Sequence, residues 1–147
     1  MIRMTEIDYR KLSYFNTKVP IYKTQNDIRS VLEKFDLQGT RFTEYKGVGI
    51  IEFILMKDGK ELMFRFKYDL PEERFRSQIY RGLFHYLKNR FMAIEFGITT
   101  VEKEFLQELV LKLPDGSDAT LKEIMQDKIM GLEYKNLHLL GDKKDEV

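Results

Sequence analysis

Cysteine and tryptophan are absent from this chain of 147 residues, and histidine occurs only twice. Without cysteine there can be no disulfide, thiol nucleophile or thiolate metal site. His85 and His138 lie in no nucleophile motif, and no HExxH pair is present. Gly47-Val48-Gly49 lacks the third glycine and the following helix of a phosphate-binding loop. These absences favour a protein without enzymatic activity, and they predict no catalytic residue, metal or cofactor.

Long apolar runs are also missing, since none approaches the roughly 20 residues that a membrane span needs. The N-terminal sequence MIRMTEIDYRK carries charges where a signal peptide would be apolar. We therefore expect a cytoplasmic protein without a membrane partner. Apolar residues make up 43% of the chain and charged residues 33%, as in folded domains.

The net charge of +1 conceals an uneven distribution. Residues 1–90 hold 18 lysines and arginines against 12 acids, whereas residues 91–147 hold 7 against 12. All nine arginines lie in the first part, and arginine has the planar donor geometry that suits phosphate and carboxylate. The asymmetry has two explanations, which the sequence leaves open: an anionic partner, or attraction between the two parts of the chain.

Apolar spacing predicts the first elements. SYFNTKVPIY is strand-like, and TQNDIRSVLEKF places Ile28, Val31, Leu32 and Phe35 on one helix face. We expect that helix to begin at Thr24 or Asn26 and to end at Gly39.

A hairpin should follow, with Asp58-Gly59 as its two-residue loop. This register pairs Phe53 with Phe64 on the core face and Glu52 with Arg65 on the other. A preceding strand, Arg41 to Lys46, would complete an antiparallel meander.

The second half of the chain shows helix signals. Ile79, Leu83, Leu87, Phe91 and Ile94 form one stripe, and Gly97 should end that helix. We expect a new helix over 100–111 after a Thr99–Glu102 capping box, a turn at LPDG, and a last helix capped by Thr120 and Glu123. The fold class is therefore α+β, an antiparallel meander of three or more strands packed by about four helices. We divide the chain into an N-terminal lead (1–18), one domain (19–140) and a polar tail (141–147).

One helix face carries a cationic line, Arg81, His85 and Lys88, opposite the apolar stripe. Together with neighbouring cations it predicts a surface that contacts the phosphates of DNA or RNA. Its predicted residues are Arg65, Lys67, Arg74, Arg76, Arg81, Lys88 and Arg90. Tyrosines that could stack on unpaired bases are Tyr9, Tyr14, Tyr45, Tyr68 and Tyr80. The first hypothesis is a non-enzymatic nucleic-acid-binding accessory protein.

Two further hypotheses stand beside it. The chain could bind proteins, either another copy of itself or a host protein that it inhibits, through the acidic helices Thr100–Leu111 and Leu121–Met130. Alternatively, Glu44-Tyr45-Lys46 matches the acid-x-lysine pattern of metal-dependent nucleases, which need a further carboxylate close by.

Three segments also resemble a family of small proteins, of uncharacterised function, that occur in phage and prophage genomes. They are the VP–helix opening VPIYKTQNDIRSVLEKF, the hairpin IIEFILMKDGKELMFRF, and the stretch with the GITTVEKEFL junction and the PDG turn. The resemblance covers most of the chain after its first 18 residues. It implies a viral or mobile-element origin, which would place the protein in the host cell cytoplasm, and a shared α+β fold. It implies no activity, catalytic residue or cofactor.

Overall fold

A computed structural model describes residues 6–131 of the chain. Its order is helix α1 (Ile21–Lys34), strands β1 (Gln38–Tyr45), β2 (Val48–Lys57) and β3 (Lys60–Asp69), and helix α2 (Arg76–Glu95). Helix α3 (Val101–Glu104), strands β4 (Val110–Lys112) and β5 (Asp118–Thr120), and helix α4 (Leu121–Gly131) follow. The α+β prediction is confirmed, with four α-helices among the described residues and the antiparallel strand order β1-β2-β3.

The N-terminal lead contains no strand within the described residues, so the strand-like prediction for SYFNTKVPIY was wrong. A short 3-10 helix, Tyr9–Lys11, is followed by turns, and α1 already begins at Ile21. Pro20 takes the N-cap position, where its carbonyl accepts hydrogen bonds from the N–H groups of Lys23 and Thr24. Proline fits the start of a helix because it has no N–H to leave unpaired. Thr24 is buried inside α1 and does not cap it.

The end of α1 also differs from the prediction. Asp36, at φ 59°, takes the left-handed position that we assigned to Gly39. Aspartate tolerates this conformation better than most residues. Gly39 lies instead at an irregularity in β1, with φ 65°. A Cβ there would come 2.9 Å from Cδ1 of Ile54 on β2.

The β2–β3 hairpin has the predicted register throughout. Phe53 lies opposite Phe64, Ile51 opposite Phe66, and Glu52 opposite Arg65. Asp58 and Gly59 both have positive φ, as the two-residue turn requires. Burial of the phenylalanines on one face therefore determined this register, because a shift by one residue would expose them.

Helix α2 ends where the sequence predicted. Gly97 has φ 73°, and the N–H of Ile98 donates to the carbonyl of Ala93. This is the glycine stop that satisfies the last carbonyls of a helix. The next helix is capped one residue later than predicted, by Thr100 and not by Thr99. The side chain of Thr100 accepts a hydrogen bond from the N–H of Lys103 at 3.2 Å.

The predicted helix over 100–111 was wrong. Helix α3 ends at Glu104, a 3-10 turn covers Leu106–Glu108, and the chain then becomes extended. Leu109 bridges to Phe64 on β3, and β4 pairs with β5 across the PDG turn. In the extended conformation, residues 109–112 form backbone hydrogen bonds with β3 and β5. A helix over the same residues could not form them. The capping box before α4 is confirmed, because Thr120 and Glu123 exchange hydrogen bonds of 2.9 and 3.2 Å.

The core lies between one face of the three-stranded sheet and helices α1 and α2. Its centre is aromatic, with the ring of Phe105 within 5.0–6.2 Å of the rings of Phe53, Phe64, Phe66 and Phe91. Each fully buried phenylalanine contributes about 1.5–3 kcal/mol. Because side chains alternate along a strand, Arg65 lies between Phe64 and Phe66 but points to the outer face of the sheet.

Candidate protein-interaction groove and the predicted cationic surface

Arg65 and Lys67 lie on the outer face of the sheet and are paired with carboxylates there. Arg65 donates to Glu52 and to Asp118, both at 2.8 Å, and only 13% of its side chain is exposed. Lys67 donates to Glu123 at 2.7 Å. These pairs fasten β5 and the first turn of α4 onto the sheet. The predicted Glu52–Arg65 pair is thus present, and it belongs to a larger network.

The cations on and beside α2 do not belong to this network on the outer face of the sheet, and they pair with other acids. Arg74 pairs with Glu72 at 3.0 Å, and Arg76 reaches Glu44 at 3.4 Å. Arg81 does not lie on the solvent face that the helix spacing predicted. It donates to Thr24 and Asp27 of α1, at 3.1 and 2.9 Å, and its side chain is 16% exposed. The reason is that α1 packs beside this face of α2.

Arg90 joins α2 to the segment that follows α3. Its guanidinium donates to Glu104 at 2.8 Å and to Glu108 at 3.1 Å, and it stacks on Phe105 at 4.5 Å. Lys88 is exposed and has no carboxylate partner within the described residues, and its ammonium lies 5.8 Å from the ring of Phe84. Six of the seven predicted phosphate-binding cations thus form ion pairs with carboxylates of the same chain. Arg65 and Arg81 lie on opposite faces of the sheet.

The ion pairs shift the pKa values of their carboxylates. Hydrogen bonds from Lys23 and Arg81 hold the pKa of Asp27 below its usual value. Burial would raise the pKa of Glu52, but hydrogen bonds from Arg65 and Arg41 outweigh burial and lower it. The hydrogen bond from Arg65 likewise lowers the pKa of Asp118.

His85 stacks on Tyr14 of the N-terminal lead, with ring centroids 4.9 Å apart. Burial, together with the charges of Arg81 and Lys88, lowers the pKa of His85. The imidazole is therefore neutral at pH 7, and it does not add a charge to the cationic line.

The five predicted base-stacking tyrosines differ in burial and in contacts. Tyr80 is fully buried, and its hydroxyl donates to Glu44 at 2.7 Å while accepting from Tyr68 at 3.0 Å. Burial raises the pKa of Tyr80 to about 12. Tyr9 stacks on Phe75, whereas Tyr45 is 65% exposed. Of the five, Tyr45 offers the most open ring.

The acid-x-lysine pattern lies at the β1–β2 turn. Glu44 accepts hydrogen bonds from Tyr80 and Arg76, and Lys46 occupies a left-handed turn position with its ammonium 5.2 Å from the Tyr45 ring. Over residues 6–131 no group of three or more acidic or histidine side chains is placed to hold a metal ion. The carboxylate of Glu44 thus has a structural role in holding β1 to α2.

An apolar groove of about 490 Å³ lies between α4 and the 3-10 turn Leu106–Glu108. We call it the α4 groove. Its apolar floor consists of Leu106, Leu121, Met125 and Ile129, and its rim of Gln107, Lys122 and Gln126. Leu106, Met125 and Ile129 are 49%, 48% and 54% exposed. The rim carries one positive charge and no acid.

The sequence contained part of this signal. The protein-binding hypothesis predicts Leu121–Met130 as a contact element because of its acids, and LKEIMQDKIM also has five apolar residues in ten. The groove itself could not be predicted, because its other wall is a 3-10 turn where we expected a continuous helix. Helix α4 contacts that turn and β5 on one side and leaves its remaining apolar residues uncovered within the described structure.

No family model matches the chain, and neither the curated proteins nor the solved structures include one similar to it. In the part of the chain that the structure describes, no helix has the length and apolarity needed to cross a membrane.

Proposed function

We propose that this protein is a protein-interaction module and that the α4 groove binds an amphipathic segment of a partner protein. The observation that carries the proposal is the exposed apolar floor of Leu106, Met125 and Ile129, which lie together on one side of the molecule. Exposed apolar patches bordered by polar residues are typical of interaction sites. A groove between a helix and a turn suits a single helix or extended segment.

The residues of the rim indicate what kind of partner segment would bind. Lys122 is exposed and has no carboxylate partner within residues 6–131, and the amides of Gln107 and Gln126 complete the border. A partner segment with two or three apolar anchors and an acidic flank would bury the floor and pair with Lys122. Burial of the anchors supplies affinity, and the charge pair supplies orientation and specificity.

Binding can be tested with a fluorescent 16-residue peptide that has leucines at helical spacing and glutamates beside them. Titration into the full chain should raise its anisotropy, and Met125→Asp should weaken binding at least tenfold because it puts a charge in the floor. Met92→Asp is the matched control, since Met92 is similarly exposed, at 43%, but lies on α2. Equal binding by the two variants, or no binding by the wild-type chain, would contradict the proposal.

Charge-reversal variants provide a second test in the same binding experiment. Lys122→Glu should weaken binding of the glutamate-flanked peptide and improve binding of a lysine-flanked one. Lys103→Glu changes the charge at an exposed position outside the groove and should alter neither. Circular dichroism of each variant checks that the fold is retained.

Nucleic-acid binding by an accessory protein of phage or mobile-element origin is the second candidate. Lys88 supports it, because this exposed cation lies one helical turn from His85, which stacks on Tyr14, and has no carboxylate partner in residues 6–131. The pairing of the other six cations limits the number of phosphates the protein could contact. We therefore expect weak binding with a shallow salt dependence.

Titration of single- and double-stranded DNA and RNA at low and moderate salt tests this candidate. Lys88→Ala should reduce binding and the salt slope by about one phosphate contact. No binding at low salt would overturn the candidate and leave the groove proposal unaffected.

A further inference from the structure

We infer that strand β1 joins two copies of this chain by pairing with β1 of the second copy, antiparallel about a two-fold axis at Phe42. The two three-stranded sheets then form one continuous sheet of six strands, which is a common size for a sheet. This surface is independent of the proposed function, because β1 and the α4 groove share no residue.

Strand β1 is an open edge of the sheet. The strand order β1-β2-β3 gives β1 a neighbour on one side only, whereas the edge at β3 is partly covered by the bridge between Phe64 and Leu109. Among residues 6–131, Gln38–Tyr45 form no backbone hydrogen bond other than those with β2. An edge of this kind presents a row of unpaired N–H and C=O groups to which another strand can bind.

The turn at 46–47 determines which backbone groups of β1 point to the open edge. It is a two-residue turn, with φ of 49° and 77°, and it is flanked by the pair Tyr45 and Val48. The residues that flank a two-residue turn bond to each other, and alternate residues of a strand direct their backbone groups to opposite sides. Tyr45 and every second residue before it therefore bond to β2, whereas Phe42 and Glu44 direct their N–H and C=O groups outward.

The side chains of β1 select the register of the pair. Residues opposite each other must lie on the same face of the sheet, so the two-fold axis passes through a residue. An axis at Phe42 places the two Phe42 rings opposite each other and the hydroxyl of Thr40 opposite the carboxylate of Glu44. An axis at Arg41 would instead oppose two guanidinium groups, and an axis at Thr43 would oppose Phe42 and Glu44. Aromatic pairs stabilise a sheet and like charges destabilise it, so the axis at Phe42 is favoured.

Strand β1 carries few of the features that prevent an edge from pairing. QGTRFTEY contains no proline and no lysine, and its irregularity is confined to the start of the strand, at Gly39. Its one cation, Arg41, donates to Glu52 at 2.7 Å, so the charge is already balanced. The axis at Phe42 also places Tyr45, which is 65% exposed, diagonally opposite Arg41 of the second copy. The strand thus supplies its own complement.

Sedimentation velocity of the full chain over a series of concentrations tests the inference, and we expect a monomer–dimer equilibrium. In the favoured register Thr43 lies opposite Arg41 of the second copy. Thr43→Lys should therefore weaken the dimer at least tenfold, because it opposes two like charges twice, and Thr43→Glu should strengthen it at least threefold. Asn89→Lys is the matched control, since it adds the same charge at an exposed position on α2 and should change nothing. Circular dichroism checks that each variant is folded.

Amide hydrogen exchange measured by NMR tests the position of the interface. The amides of Phe42 and Glu44 should exchange at least tenfold more slowly in the concentrated protein than in the dilute protein, because only the dimer gives them a hydrogen-bond partner. The amides of Arg41 and Thr43 bond to β2 and serve as the internal control, since their protection should not depend on dimerisation. Thr43→Lys should abolish the concentration dependence at Phe42 and Glu44.

Three results would overturn the inference. The first is a monomer at every concentration, and the second is a dimer that Thr43→Lys leaves as tight as the wild-type dimer. The third is a monomer in which the amides of Phe42 and Glu44 are protected at every dilution, because another segment then covers the edge. Met125→Asp separates this inference from the proposed function, since it should weaken peptide binding and leave the dimer unchanged. A dimer that Met125→Asp abolishes would assign dimerisation to the α4 groove and overturn the role of β1.

Discussion

At the scale of single residues, the contact between Gly49 and Tyr68 shows how one missing side chain shapes the sheet. The two residues lie opposite each other on β2 and β3, and the ring of Tyr68 lies across the glycine. A Cβ on Gly49 would overlap that ring. Tyr68 in turn donates to Tyr80, whose hydroxyl donates to Glu44. The glycine therefore permits a hydrogen-bond chain that joins β3 and β1 to α2.

Gly49→Ala should destabilise the protein by about 1–3 kcal/mol, the usual cost of overpacking a filled site. The methyl group would displace the Tyr68 ring and lengthen its bond to Tyr80. Urea unfolding followed by circular dichroism measures the change. Gly82→Ala is the control, because nothing lies within 4 Å of the position that its Cβ would take in α2. That change should stabilise the helix by about 0.5–1 kcal/mol, and a loss there equal to that of Gly49→Ala would contradict the argument.

At the scale of elements, ion pairs decide how the C-terminal part attaches to the rest, and the pair of Arg90 with Glu108 is buried. Arg90 of α2 holds Glu104 and Glu108, and the side chain of Glu108 is only 6% exposed. Arg65 holds Asp118, and Lys67 holds Glu123. These contacts explain the charge asymmetry of the sequence as attraction between the basic and acidic parts. Of the two explanations that the sequence left open, this one is visible in the structure.

Arg90→Ala should cost about 1.5–3 kcal/mol, because it leaves the buried carboxylate of Glu108 without its charged donor. Arg74→Ala is the matched control, since both members of the Arg74–Glu72 pair are more than half exposed. Exposed pairs contribute about 0–1 kcal/mol. Urea unfolding of both variants measures the difference, and hydrogen exchange should locate the loss of protection at 104–112. Equal costs for the two variants would show that Arg90 has no special role.

At the scale of the whole molecule, the same pairs make stability depend on acid pH. The pKa values of Asp27, Glu52, Asp118 and Glu123 all lie below their usual values, through hydrogen bonds from Lys23, Arg81, Arg65, Arg41 and Lys67 that outweigh burial. A carboxyl with a lowered pKa in the folded state stabilises the protein above its unfolded pKa. That contribution is lost as the pH falls through the folded pKa.

The melting temperature should therefore change little between about pH 7 and pH 5 and fall steeply below about pH 4, where unfolded aspartate and glutamate titrate. Glu52→Gln should melt lower than the wild-type chain at pH 7 and lose less on acidification, because one of the lowered carboxyls is gone. Thermal unfolding followed by circular dichroism at a series of pH values checks both statements. A melting temperature that stays constant down to about pH 2 would show that these pairs contribute nothing.

The places where sequence reasoning failed have a common cause. Val101, Phe105 and Leu109 have helical spacing, yet Leu109 bridges to Phe64 and the chain continues as β4. The PDG turn between two short apolar segments was the available signal for a hairpin. Arg81 has the spacing of a solvent-facing residue, and its burial depends on α1, which lies 54 positions away along the chain at Asp27. Local spacing cannot show which neighbour covers a face.

The sequence by itself determined the elements whose signals are local: the α2 stripe with its glycine stop, the Asp58-Gly59 hairpin with its register, and the Thr120–Glu123 cap. Each depends on backbone geometry or on burial along a single element. Only the tertiary structure decided which cations are paired and that α4 and the 3-10 turn form an apolar groove. Both depend on contacts between residues far apart in the chain. Of the cationic line that the sequence made most prominent, only Lys88 is an exposed cation without a carboxylate partner in residues 6–131, and the surface proposed for function is apolar.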